Sequence, residues 1–121
     1  MRLTEITYGS AQAIDGYGPG FFRVAGHVLC GACLITPWDA GPWGGFDDTA
    51  APMELAGRID VLFVGTGSEI AHVPPEFRSV LEAAGFGVEV MNSPAACRTY
   101  NVLLGEGRRI AAAMLPVTAK V

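Results

Sequence analysis

The chain has 121 residues, 50% of them apolar and 17% charged, with a formal net charge of −4. That balance excludes a disordered chain, which has few apolar and many charged residues, and it gives nucleic-acid phosphates no electrostatic attraction. No apolar run nears the roughly 20 residues that cross a bilayer, and 3 cysteines, an odd count, do not make a disulfide framework.

A chain of this length buries roughly two thirds of its unfolded surface, so one domain over residues 1–121 can carry its own core. The mean hydropathy of +0.35 is high for a small domain, which either fills a core or leaves apolar surface for a partner. Met1 to Ile14 carries Glu5 and no uninterrupted apolar block, so it does not read as a secretory signal, and one arginine does not make a transit peptide. The expected compartment is a bacterial cytoplasm with reduced thiols. A mitochondrial matrix location requires that a transit peptide has been removed.

The first half reads as β structure broken by glycine. Leu3 to Tyr8 and Gln12 to Tyr17 are short strand candidates, followed by a turn cluster of Gly16, Gly18, Pro19 and Gly20. Phe21 to Val24 and His27 to Leu29 can pair about an Ala25-Gly26 turn. Ala32 to Thr36 is a further strand closed by Pro37. Trp38 to Pro52, with Gly41, Pro42, Gly44 and Gly45, reads as a long loop, and such loops are often functional.

The second half is more regular. Val61 to Val64 is a continuous apolar run, the mark of a strand buried on both faces, and Gly65-Thr66-Gly67 ends it. Pro75 suits a first helical position. Phe77, Val80, Leu81 and Ala84 then share one helical face, and Gly85 stops the helix. Val88 to Met91 is the next strand. Ser93-Pro94 reads as an N-cap and first turn, with Ala96, Tyr100 and Leu103 as the buried stripe, Cys97 and Leu104 beside it, and Gly105 as the stop. Ile110 to Leu115 is a last strand; alanine favours helix, but the segment is too short to stand as one. From Asp60 onward the order is β-α-β-α-β, with a parallel, right-handed first crossover. The N-terminal strands must extend this sheet or cover it.

The residues also carry a resemblance. Gly20-Phe21-Phe22-Arg23-Val24, then Leu34-Ile35-Thr36-Pro37 with a tryptophan downstream, then Val64-Gly65-Thr66-Gly67, Val88-Glu89-Val90-Met91 and the run Ala95 to Arg108 follow one another in an order similar to that of the domain of unknown function four-nine-eight family. Its most specific stretch here is Met91 to Arg108. That family takes in mitochondrial assembly factors of respiratory complex I and adipogenesis-associated single-domain proteins. The resemblance implies an α/β, three-layer single domain with a mixed central sheet, helices on one side and added N-terminal β structure. It also implies a largely non-enzymatic role in assembly through protein partners.

Several motifs invite chemistry. Cys30-Gly31-Ala32-Cys33 has thioredoxin-like spacing, but a strand follows where a thiol-activating helix would be needed. As a zinc site it is half a set, to be completed by Cys97, His27 or His72 at no standard spacing. Gly65-Thr66-Gly67 lacks the lysine and the immediate helix of a phosphate loop. His27 and His72 stand without a nucleophile motif, and Asp47-Asp48 reads as a solvated turn. No cofactor and no metal are expected.

The helix start at Ser93 is more promising. The loops after Val64 and Met91 should lie together at the carboxyl ends of parallel strands, where open α/β sheets bind ligands. Amides near Ala95 and Ala96 suit an anion, Arg98 offers a planar fork, and Asn101 can donate and accept. The competing reading is a capped helix with Arg98 paired to Glu106. Trp38, Trp43 and Phe46 share the Gly/Pro-rich loop, and either anchor an interface or fold back over the sheet.

The expected function is therefore a non-enzymatic protein-interaction or assembly factor. Its expected partners are respiratory-complex subunits or another assembly factor, met at the inner membrane without spanning it. The expected surface is Gly65, Thr66, Gly67, Ser93, Arg98 and Asn101 together with Trp38 and Trp43. The alternative is a small-anion or ligand-binding protein, or an uncharacterised enzyme, using the crevice near Gly65 and Ser93.

Overall fold

Successive side chains of a strand point to opposite faces, so a strand that is apolar at every position can bind two layers at once. The computed structural model describes residues 11–118. Within them the chain runs through β1 (Ile14–Gly18), β2 (Phe21–Val24), β3 (His27–Cys30), β4 (Cys33–Ile35) and β5 (Ala40–Pro42). A 3-10 turn at Gly45–Asp47 and the short α1 (Ala50–Met53) follow. Then come β6 (Val61–Thr66), α2 (Pro75–Ala83), β7 (Gly87–Met91), α3 (Ser93–Gly105) and β8 (Ile110–Leu115).

The central sheet has 5 strands in the order β5-β4-β8-β6-β7. β6 runs parallel to β7 and β8, while β4 is antiparallel to β5 and β8. The sheet is therefore mixed, as expected. β1, β2 and β3 form a separate antiparallel sheet. On one face of the central sheet, Leu62, Val64, Val88, Ala111 and Ala113 pack with Phe77 and Leu81 of α2. On the other, Phe63, Ile110, Ala112 and Met114 pack with Ala96, Cys97, Tyr100 and Leu104 of α3, and with Phe22 and Val24 of β2.

The helices thus lie on both faces, a correction to the expectation that they share one side. The strand order supplies the reason. The chain steps outward from β6 to β7, then back past β6 to β8. Right-handed crossovers in opposite directions put their helices on opposite faces.

The alanine-rich β8 is a strand, as expected, and it is the middle strand of the sheet. Pairing on both sides overrides alanine's helical preference. Three consecutive fully buried alanines, Ala111 to Ala113, let both covering layers approach closely.

The long loop read from Trp38 to Pro52 is in fact structured. The Thr36 hydroxyl accepts from Asp39 N–H at 2.9 Å and sits 3.0 Å from the Asp39 carbonyl. That tight turn sends Ala40–Pro42 back along Cys33–Ile35. The strand candidate Gln12 to Tyr17 appears as β1, whereas Leu3 to Tyr8 lies outside the described residues. α2 begins at Pro75 as its sequence indicates.

α3 is capped by Asn92, not Ser93: the Asn92 side chain accepts from Ala95 N–H at 2.8 Å, and Ser93 is the first helical residue. The helix ends at Gly105, as expected, with Glu106 as its C-cap. Gly107 takes the left-handed conformation at φ 76°, and the amides of Gly107 and Arg108 reach Leu104 and Leu103 carbonyls at 3.0 Å each. That 5→2 and 6→1 pattern is a Schellman ending, for which glycine is the preferred residue.

Candidate functional site

At the carboxyl end of the parallel strands, Gly65 stands in register with Met91 on one side and Met114 on the other. Glycine is needed there for closeness. A Cβ at Gly65 would lie 2.7 Å from Ser93 Oγ, 2.8 Å from Met114 Sδ and 3.0 Å from Ser93 Cα. Ser93 is fully buried. Its Oγ accepts from Gly67 N–H at 2.8 Å and donates to the Leu115 carbonyl at 2.6 Å, while its own N–H donates to the Gly67 carbonyl at 2.8 Å. Thr66 Oγ1 donates to the Glu69 carbonyl at 2.7 Å and accepts from Ala71 N–H at 3.1 Å.

Gly65 and Thr66 are therefore strand residues, and only Gly67 lies in the turn. The three elements are laced together by their own polar groups. The amides an anion would need are occupied: Gly67 N–H by Ser93, Ala95 N–H by the Asn92 side chain, and Ala96 N–H by the Asn92 carbonyl at 3.0 Å.

Farther along α3, Asn101 acts as a clamp. Its Nδ2 donates to the Ile14 carbonyl at 2.7 Å, and its Oδ1 accepts from Ile14 N–H at 2.9 Å. The Tyr100 hydroxyl adds a bond to the Gln12 carbonyl at 3.0 Å, and burial pushes its pKa up. Both side chains thus hold the N-terminal strand against the helix. Arg98 is exposed. The ion pairs among the described residues join Arg78 to Glu82 at 3.1 Å and Arg109 to Asp60 at 3.8 Å, so the Arg98–Glu106 pair is not formed.

The two tryptophans part company. Trp43 is core: its Nε1 donates to the Asp48 carbonyl at 2.9 Å, and its ring centroid lies 5.8 Å from those of both Phe46 and Phe77. Asp48 accepts from Ala51 and Gly44 amides at 3.2 Å each, so it shapes that turn. Trp38 is 38% exposed and carries the Arg58 guanidinium 4.0 Å above its ring. With Leu34, Asp39, Glu54, Leu55 and Arg58 it lines a pocket of ≈ 220 Å³.

Trp38 follows β4, which runs antiparallel to β8 with Ile35 opposite Ala112. It therefore stands at the end of the sheet where β6 and β8 begin, opposite to Gly65 and Ser93. The structure brings Gly65, Thr66, Gly67 and Ser93 together, and it places Trp38, Trp43 and Asn101 elsewhere.

All three cysteines are unbridged, with Cys30 exposed and Cys33 and Cys97 buried. Burial pushes the Cys33 thiol up to about 12, and nearby Cys97 adds to this. Burial pushes Cys97 to about 12 as well, against an opposing pull from Arg98. Both stay protonated at neutral pH, so neither supplies the thiolate of redox exchange. No group of three metal-ligating side chains is found among the described residues, and His27 and His72 line separate pockets. Arg58 over Trp38, and Arg78 donating to the Val88 carbonyl at 2.9 Å, carry no sequence signal beyond the i,i+4 spacing of Arg78 and Glu82.

Fold and site together define a layered α/β domain in which Ser93, Asn101 and Tyr100 bond its own backbone. The chain belongs to the family described as protein of unknown function (DUF498/DUF598), whose model matches residues 14–115. An uncharacterized protein of Rhodobacter capsulatus is 52% identical over 121 residues, covering 100% of this chain and 98% of that one. NADH dehydrogenase [ubiquinone] 1 alpha subcomplex assembly factor 3 of Mus musculus is 30% identical over 123 residues, covering 96% of this chain and 66% of that protein. The chain thus spans about two thirds of that relative's length.

Among solved structures, one described as an outer membrane protein from Bartonella henselae superposes with a TM-score of 0.79 at 36% identity, covering 90% of this chain and 97% of that one. A Bordetella pertussis protein described as an Mth938-like domain gives a TM-score of 0.78 at 27% identity, covering 100% and 96%. No helix among the described residues is long and apolar enough to cross a membrane.

Proposed function

We propose that this protein is a non-enzymatic assembly factor that works by binding other proteins, and that its clients are subunits or a fellow assembly factor of a respiratory NADH dehydrogenase. The observation that carries the reading is the similarity, along 96% of the chain, to a protein named as an assembly factor of that complex. The chemistry of the fold agrees: the buried thiols are protonated, and the carboxyl end of the sheet is sealed by internal hydrogen bonds.

Of the residues expected to form the binding surface, Trp38 and Arg98 are the side chains with most surface to offer a partner. Gly65, Thr66, Gly67, Ser93, Asn101 and Trp43 serve by holding the scaffold that presents them. The protein acts from the cytoplasmic side, meeting the inner membrane through its partners.

Deleting the gene and resolving respiratory complexes on native gels tests the reading. The assembled NADH dehydrogenase should fall, and the intact chain should restore it better than a Trp38→Ala, Arg98→Ala double variant of unchanged melting temperature. An undiminished complex in the deletion strain refutes the assembly role.

A further inference from the structure

Strand edges are templates for further pairing, and proteins commonly guard them. The two sheets have four edge strands among the described residues: β1, β3, β5 and β7. Three of these carry a guard. At β1 the Asn101 side chain occupies both the N–H and the carbonyl of Ile14. β5 is three residues long and ends in Pro42, which has no N–H to give. At β7 the Arg78 guanidinium covers the Val88 carbonyl.

Among the described residues, β3 has no such device. His27-Val28-Leu29-Cys30 contains no Asp, Glu, Lys, Arg or Pro. Its register is regular against β2, with Phe22 opposite Leu29 and Arg23 opposite Val28.

Two observations fix which backbone groups of β3 face outward. Gly31 N–H donates to the Gly20 carbonyl at 2.8 Å, and pairing alternates along an antiparallel ladder, so Leu29 and His27 are bonded toward β2. The Ala25-Gly26 turn agrees. Both residues have positive φ, at 50° and 83°, as in a two-residue type I′ hairpin, whose closing pair, here Val24 and His27, is bonded. The N–H and carbonyl groups of Val28 and Cys30 therefore point away from the sheet. Val28 is 54% exposed, and Cys30 is exposed.

We infer that this chain pairs with a second copy of itself through β3, antiparallel about a two-fold axis at Leu29, making one six-stranded sheet from the two three-stranded ones. In this register Val28 of each copy meets Cys30 of the other, and the two residues exchange both backbone bonds. Four hydrogen bonds close the seam, whereas a shift to Val28 opposite Val28 brings Cys30 to Gly26, whose N–H is already held by Asp15 at 2.7 Å.

Charge allows this register. The β3 edge holds no formal charge, so no like pair is forced together, as would happen at β7, where the exposed Glu89 would face its own copy in the equivalent register. Apolar contact favours it as well. Leu29 borders a groove of ≈ 370 Å³ between β3 and β5, lined by Gln12, Val24, His27, Leu29, Asp39 and Ala40. Leu29 of the second copy would lie at the mouth of that groove. A four-residue seam is small, so the pairing belongs to the weak, concentration-dependent class.

Sedimentation of the full chain over a concentration series, with amide exchange followed by NMR, tests the pairing. The average mass should rise toward the dimer with concentration, and the Val28 and Cys30 amides should slow in step. Val28→Lys places a charge on the seam and should weaken association at least tenfold while leaving the melting temperature unchanged, because the side chain is solvent-exposed. Glu89→Lys, on the other open-sheet edge, should leave association as it is. A protein that stays monomeric at every concentration, or a dimer that Val28→Lys does not weaken, overturns the inference. So does protection of these two amides only when a different protein is added, which would give the edge to that partner.

Discussion

Replacing Gly65 with alanine puts a methyl group 2.7 Å from Ser93 Oγ, 2.8 Å from Met114 Sδ and 3.0 Å from Ser93 Cα. The methionine sulfur ends a flexible side chain and can move; the helix backbone cannot move without lifting α3 off the sheet. Overpacking of this kind costs about 1–3 kcal/mol, and about 2 kcal/mol is expected here. Ser93→Ala has a separate cost. It strands the Gly67 N–H and the Leu115 carbonyl, each bonded at 2.8 Å or less, at about 1–3 kcal/mol apiece when buried.

The two changes share an atom, so they should not add. Once Oγ is gone, the nearest obstacle to the new methyl is gone too. The double variant should therefore be more stable than the sum of the single variants implies, by about 1 kcal/mol. Urea unfolding of the four proteins, with unchanged m-values, measures this directly. Additivity within about 0.5 kcal/mol would show that Gly65 is not held to glycine by Ser93, and the account of this corner would fail.

Asn101→Ala should cost about 2 kcal/mol by unpairing Ile14 at both backbone groups, and amide exchange should quicken first in β1; uniform exchange across the domain would contradict the clamp. Trp43→Ala should cost about 3–5 kcal/mol, as a buried aromatic, whereas Trp38→Ala should stay within about 1 kcal/mol; both are read from urea midpoints. A thiol reagent at neutral pH should label one cysteine, Cys30, in the folded protein and all three after unfolding, since Cys33 and Cys97 are buried. The same two thiols set an alkaline limit. Their pKa values rise from 9.0 to about 12 on folding, so their contribution is complete below pH 9 and fades as pH climbs toward 12. The unfolded chain releases protons that the folded one keeps, which lowers stability by at most about 1.4 kcal/mol per pH unit for each thiol. A Cys33→Ala, Cys97→Ala variant should lose that slope in alkaline denaturation.

The β-α-β-α-β half was legible because its signals are local. Pro75, Gly85 and Pro94 mark helix ends, and Val61 to Val64 shows an apolar run with no polar break. β5 was hidden because its identity rests on pairing with β4, set by the Thr36–Asp39 turn, while its own Ala-Gly-Pro sequence argues for a loop. The cap of α3 was displaced by one residue because Asn92 and Ser93 are both good caps. The extended backbone of Asn92, at φ −66° and ψ 159°, assigns it.

Asn101 and Ser93 were visible as polar residues on a buried helix. A ligand and the chain's own backbone ask for the same donors and acceptors, and only the approach of Ile14, 87 positions away, separates the two. Trp43 posed the same problem: in a Gly/Pro-rich segment, an aromatic that seals a core looks like one that meets a partner, until Phe46 and Phe77 close around it.

The position of β8 in the sheet bears on how the protein is made. Residues 110–115 are translated after every other described strand, yet they join the β4–β5 hairpin to the β6–β7 pair. Until they leave the ribosome, β4 and β6 each present an unpaired, apolar edge. The first hairpin is in the same position, since it waits for α3 to deliver Tyr100 and Asn101. This domain therefore has little stable tertiary structure to form during most of its synthesis. Its nascent chain exposes the edge of β4 from early on and that of β6 as well once Val61–Thr66 has been made, and a ribosome stalled shortly before Ile110 would hold a product bound for chaperones or proteases.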